Sequence, residues 1–144
     1  MSKKEVISRE VAIKELTEFL KQHLKKEFRN GKTISSEKIE EDYPDVLYAM
    51  EDGNLVFVNG KPEYTLLYPL KNEQGEDSIT KVSFRSRIKG ADKTILINGI
   101  DPKKQLGDYM IKVISYITQI DSNELVKKLE KEDFEVLNQI CSVF

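Results

Sequence analysis

Asp101-Pro102-Lys103-Lys104-Gln105-Leu106-Gly107-Asp108-Tyr109 opens the last third of the chain, and its reading decides the fold. Asp101 is a good N-cap, and Pro102 suits the first helical position because its missing N–H would have no partner there. Apolar residues follow at Leu106, Met110, Val113, Ile114 and Ile117, with Tyr109, Tyr116 and Ile120 beside them. That is helical spacing with a wide apolar stripe, the pattern of a helix lying on a core. Asp121 and Ser122 reset the cap for a second short face, Leu125, Val126 and Leu129. The acids Glu130, Glu132 and Asp133 complement a helix dipole, so a fresh helix is expected near Glu132, carrying Phe134, Leu137, Cys141 and Phe144.

Working outward, the 144 residues fit one domain, or one domain with an added terminal element. With 39% hydrophobic and 33% charged residues the chain is expected to be globular and soluble. No apolar run reaches membrane-spanning length and no apolar signal region follows the first lysines, so the expected location is the cytoplasm. The single cysteine, Cys141, excludes an intramolecular disulfide and reads as a small core residue. The net charge of −2 is segregated: Ile34 to Asp52 holds one Lys against seven acids, whereas Met1 to Thr33 holds nine Lys/Arg against five. Alternating blocks favour protein partners over nucleic acid, which needs a concentrated basic face.

Ser8 to Phe28 reads as an amphipathic helix capped by Ser8 and stopped by Asn30-Gly31. His23 lies off its stripe and is expected to be solvated or capping. A second helical piece starts at Ser35-Ser36, is interrupted by Pro44, and ends at Asp52-Gly53. Leu55 to Val58, Asn59-Gly60 and Lys61 to Tyr68 give a hairpin signal, because Asn-Gly supplies the two positive φ angles of a type I′ turn. Pro62 should lie at an edge near the start of the returning strand. Lys81 to Lys89 alternates, with Lys81, Ser83, Arg85, Arg87 and Lys89 on one side and Val82, Phe84, Ser86 and Ile88 on the other, and Thr94 to Ile97 is expected to be a last strand. The expected fold is α+β: a small antiparallel sheet of three to four strands, then a C-terminal helical unit, with residues 1–52 as a helical extension to a 53–144 domain.

Catalytic machinery is not visible. One His, one Cys and scattered turn glycines offer neither an acid–base pair nor a phosphate loop, and no cofactor or metal is expected. Pro44-Asp45 suggests a nuclease metal site, but no Glu-x-Lys or Asp-x-Lys triplet follows on a strand. The basic strip Lys81, Arg85, Arg87, Lys89 reads either as edge protection by charge or as a docking strip for an acidic helix. The apolar set Leu129, Phe134, Leu137, Phe144 reads either as core or as a surface lent to a partner.

From about Asn54 onward the chain resembles the tail assembly chaperones of long-tailed bacteriophages and prophages. The similar residues are a strand ending in Leu66-Leu67-Tyr68-Pro69, a polar loop, a strand bearing basic residues from Ile79 to Lys89, an apolar helix, and Leu129-Glu130-Lys131-Glu132-Asp133-Phe134-Glu135-Val136-Leu137 with a late aromatic, Phe144. Residues 1–52 lie outside it. The resemblance implies a non-enzymatic protein that binds the tape-measure protein, keeps its apolar helices soluble, and leaves as tail tube subunits assemble. It leaves open a homo-oligomer and a frameshifted longer form. Its competitor is a winged-helix DNA-binding module in the N-terminal half, against which stands the acidity of Glu37 to Asp52.

Overall fold

The computed structural model describes residues 6–86 and 88–144. Three helices come first: α1 (Arg9–His23), α2 (Ser36–Asp42) and α3 (Pro44–Glu51). Ser8 caps α1 by accepting from the Val11 N–H at 3.3 Å, and the chain leaves the helical region through Asn30 (φ 57°) and Gly31 (φ 77°). The helical piece is interrupted before Pro44 as expected: Tyr43 (φ −129°, ψ 45°) leaves the helical path, and Pro44 starts α3 in the first turn, where its missing N–H costs nothing.

Three strands follow, β1 (Leu55–Val58), β2 (Lys61–Lys71) and β3 (Asp77–Ser83), in an antiparallel sheet with β2 central. Asn59 (φ 53°) and Gly60 (φ 78°) make the expected tight turn. Val58↔Lys61 closes the hairpin, so Pro62, opposite Phe57, turns its imide nitrogen away from β1. On that side the last β3 pair is Glu63↔Ser83. The next residue, Phe84, would face a proline with no N–H, and β3 ends there.

That ending corrects the strand expected to run to Lys89. Beyond Ser83 the chain leaves the sheet, and the Arg85 N–H donates to the Ile117 carbonyl at 2.8 Å. The expected strand at Thr94 to Ile97 is also corrected: it lies in α4 (Gly90–Ile97). Asp92 accepts from the Lys89 N–H at 2.8 Å, so its carboxylate satisfies the donor at the helix start, and this overrides the strand preference of Thr94, Ile95 and Ile97. The Lys89 hydrogen bond holds the Asp92 carboxyl below its usual range, with a smaller contribution from Tyr116.

The opening stretch behaves differently from its reading as well. Asp101 caps a turn by accepting from Lys103 N at 3.0 Å, but Gln105 (φ −121°, ψ 50°) breaks the helical path, and α5 runs Leu106–Thr118. Asp121 caps α6 (Ser122–Lys128), accepting from Asn123 N at 2.8 Å, and α7 (Lys131–Cys141) begins afresh after Glu130. No helix among the described residues is long and apolar enough to cross a membrane.

One core joins these elements. Leu16, Phe19 and Leu20 from α1, Leu47 and Met50 from α3, Tyr64 and Val82 from the sheet, Ile114 and Ile117 from α5, and Leu137 and Ile140 from α7 are all buried within it. The boundary between residues 52 and 53 passes through this core. Gln139 of α7 even caps α3, accepting from Asp45 N at 3.0 Å and Val46 N at 3.2 Å while its amide donates to Asp45 at 2.6 Å.

Candidate functional site: two grooves along the last helix

The centre of the molecule's polar architecture is Asp133, in the first turn of α7 and fully buried. β2 and β3 lose register between Thr65↔Lys81 and Leu70↔Ile79, so four residues, Leu66 to Pro69, bulge opposite Thr80 alone. Pro69 has no N–H to offer, and the N–H groups of Leu67 and Tyr68 turn to the Asp133 carboxylate at 2.9 and 3.0 Å. The Tyr64 hydroxyl donates a third bond at 2.5 Å. Burial and the neighbouring carboxylate push the Tyr64 phenol well above its ordinary range. The two short motifs, Leu66 to Pro69 and Asp133-Phe134, therefore form a single lock between sheet and helix.

Beside this lock, the N-terminal half of α7 and α3 enclose an open groove of about 690 Å³. Asp45, Asp52, Glu132 and Glu135 line it against one base, Lys131, with Tyr48 and Leu67 exposed in its walls. The Arg9 guanidinium stands 5.0 Å over the Tyr48 ring. The order α1, α2, α3 and hairpin asked of a winged helix is present, but four residues of α3 are buried in the core and Asp45 and Asp52 line this acidic groove. Such a surface repels phosphate. Among the described residues no group of three or more His, Cys, Asp or Glu could hold a metal ion.

At the other end of α7 lies a groove of about 310 Å³ between α4, α5 and the carboxyl terminus. Leu96, Leu106, Met110, Val113 and Phe144 line it; Lys93 is its one charged residue. Leu106 is 58% exposed. Phe144 packs its ring against Phe19 (5.8 Å), His23 (4.8 Å) and Phe84 (6.1 Å). His23, the last residue of α1, is thus half-buried among rings, 4.5 Å from Phe19; of the two expectations for it, full solvation does not hold. Cys141 also lines the groove, but its thiol is buried and desolvation raises its pKa strongly.

Family models, curated proteins and solved structures give no match to this chain.

The basic strip does not form a row. Lys81 is exposed on β3, but Arg85 lies beyond the strand, its Nε donating to the Tyr116 carbonyl at 2.6 Å and its guanidinium 4.3 Å over that ring. Lys89 is the cap residue of α4, and Arg87 lies outside the described residues. The apolar set is mostly core: Leu137 is fully buried, and Leu129 and Phe134 are half-buried against the same cluster. Phe144 alone of the four lines a groove. Leu106, Met110 and Val113 were not singled out by sequence reasoning as binding residues. Their signal was the width of the α5 stripe, wider than one core contact needs.

Proposed function

We propose that this protein is a tail assembly chaperone of a long-tailed phage or prophage. It binds apolar helical stretches of a tape-measure protein without making or breaking a covalent bond, and gives them up as tube subunits assemble. The observation that carries the reading is the open apolar groove between α4, α5 and Phe144, which has the form required by a helix presenting side chains at i, i+4 and i+7. The lock between Leu66–Pro69 and Asp133 supports it too, because the motifs behind the resemblance serve one structural purpose.

A groove of this size takes two or three anchor side chains, each contributing about 1.5–3 kcal/mol on burial before the cost of association is met. Single contacts are then weak, and many copies along one long helix hold it by avidity, which allows ordered release. The test is co-expression with the long, helix-rich protein encoded by a neighbouring reading frame. The soluble fraction of that protein should rise several-fold and the two should co-elute. Unchanged insolubility, with no complex, overturns the proposal.

A further inference from the structure

The two grooves differ most in charge. Four carboxylates line the acidic one; no Asp or Glu side chain lines the apolar one, whose single charged side chain is exposed Lys93. The segment that supplies its α4 and α5 walls, Ile88 to Val113, carries five Lys against Asp92, Asp101 and Asp108. Two of those acids are already engaged: Asp92 by the Lys89 N–H at 2.8 Å and Asp101 by the Lys103 N–H at 3.0 Å. Lys112 donates to the Asn98 carbonyl at 3.1 Å, tying α5 to the end of α4.

Geometry sets the length of the occupant. Leu106, Met110 and Val113 stand at i, i+4 and i+7 along α5, one continuous ridge two turns long. At 1.5 Å per residue that ridge is about 10 Å, which matches two turns of a facing helix and three apolar anchors. From these facts we infer that the groove takes an amphipathic helix whose apolar edge is bordered by glutamate or aspartate. The occupant's origin, a repeating stretch of the tape-measure chain, rests on the chaperone reading; its chemistry rests on the groove. Lys93 pairs with the acidic border at the rim, where charge steers encounter and selects the partner while apolar contact holds it.

The experiment uses the full chain and two fluorescein-labelled helical peptides with the same leucine face, one bordered by Glu and one by Lys. Anisotropy titration in about 50 mM salt should give the Glu peptide at least a roughly tenfold tighter Kd, and the preference should shrink in about 500 mM salt. Leu106→Glu should weaken Glu-peptide binding by about tenfold or more, and Lys93→Glu should abolish the preference between peptides. Both positions are exposed, and unchanged circular-dichroism melts show that each variant is folded. Equal affinity for the two peptides overturns the inference, as does binding that ignores Leu106→Glu. So does a preference for the Lys peptide that disappears in Glu132→Lys/Glu135→Lys, which assigns docking to the acidic groove. If the neighbouring long protein is solubilised equally by the Leu106→Glu chain, the groove assignment falls while the chaperone reading stands. If the Glu peptide binds as expected while that protein stays insoluble, the chaperone reading falls and the groove assignment stands.

Discussion

The two ends of α7 do opposite things. At its N-terminal end, Asp133 gathers two backbone N–H groups and a phenol into a buried knot with every donor matched. At its C-terminal end, Cys141 and Phe144 are among side chains that line a groove whose apolar surface exceeds what the core absorbs. A buried polar knot has one low-energy arrangement, since moving any member strands a donor or acceptor. Apolar contact is non-directional and accepts a new neighbour without such a cost. The helix is thus fixed by a polar knot at one end, while at the other, beside Gln139 and the buried Ile140, one face is turned to a groove.

The strongest way to break this contrast is Asp133→Ala. It leaves three donors without their acceptor beneath the bulge, so the expected loss is about 3–5 kcal/mol, read as the shift in urea midpoint. Asp133→Asn keeps the shape and one acceptor oxygen and should cost less, about 2 kcal/mol. A near-silent Asp133→Ala would mean the bulge, and not the carboxylate, holds the sheet to α7. Next in size is Phe144→Ala. Its ring touches Phe19, His23 and Phe84 but is only half-buried, so about 2–3 kcal/mol should go. A loss as large as that of Asp133→Ala would make the two ends equal partners in stability.

The same contrast explains what could be read from the sequence. Caps at Ser8 and Asp121, the Asn59-Gly60 hairpin and the fresh start of α7 were legible because each is decided by a few adjacent residues. The end of β3 was not, because Pro62, twenty-two positions before Phe84, denies it a partner. The run Thr94 to Ile97 misled, since the helix start that Asp92 fixes on the Lys89 N–H outweighs a weak strand preference. Among site residues, Phe144 was named but for company it does not keep: Leu137 shares its helical stripe yet turns into the core. Asp133 was seen as a helix-dipole acid, and only the bulge, invisible in the sequence pattern, shows what it accepts.

Alkaline pH sharpens the comparison through two buried acids, Tyr64 beside the knot and Cys141 beside the groove. Both hold their protons more tightly folded than unfolded. Between the unfolded and folded pKa values the native state binds more protons, so stability is complete below the unfolded value and falls as pH rises. The thiol starts the decline near pH 9, giving a loss of about 1 kcal/mol by pH 10, and the phenol steepens it beyond. Chemical melts between pH 7 and 11 measure this, and Cys141→Ala should flatten the first part alone. A decline that begins only above pH 10 in the unmodified chain would show the thiol to be more exposed than its surroundings imply.

The smallest expected effect is the most discriminating. Leu106 begins α5, is 58% exposed, and has no side-chain cap from Gln105 before it. Leu106→Glu removes apolar surface that already faces water and adds a carboxylate in the first helical turn, where the dipole favours it by about 0.3–1 kcal/mol. The two terms nearly cancel, so thermal and urea midpoints should imply a change within about 0.5 kcal/mol. The same substitution should weaken docking in the groove by about tenfold or more. Stability and binding would then separate at one residue, as they must if this ridge is surplus to the fold. A loss of about 2 kcal/mol or more would instead make Leu106 a closing member of the core, and the C-terminal end of α7 would then be held as firmly by the fold as the end that carries Asp133.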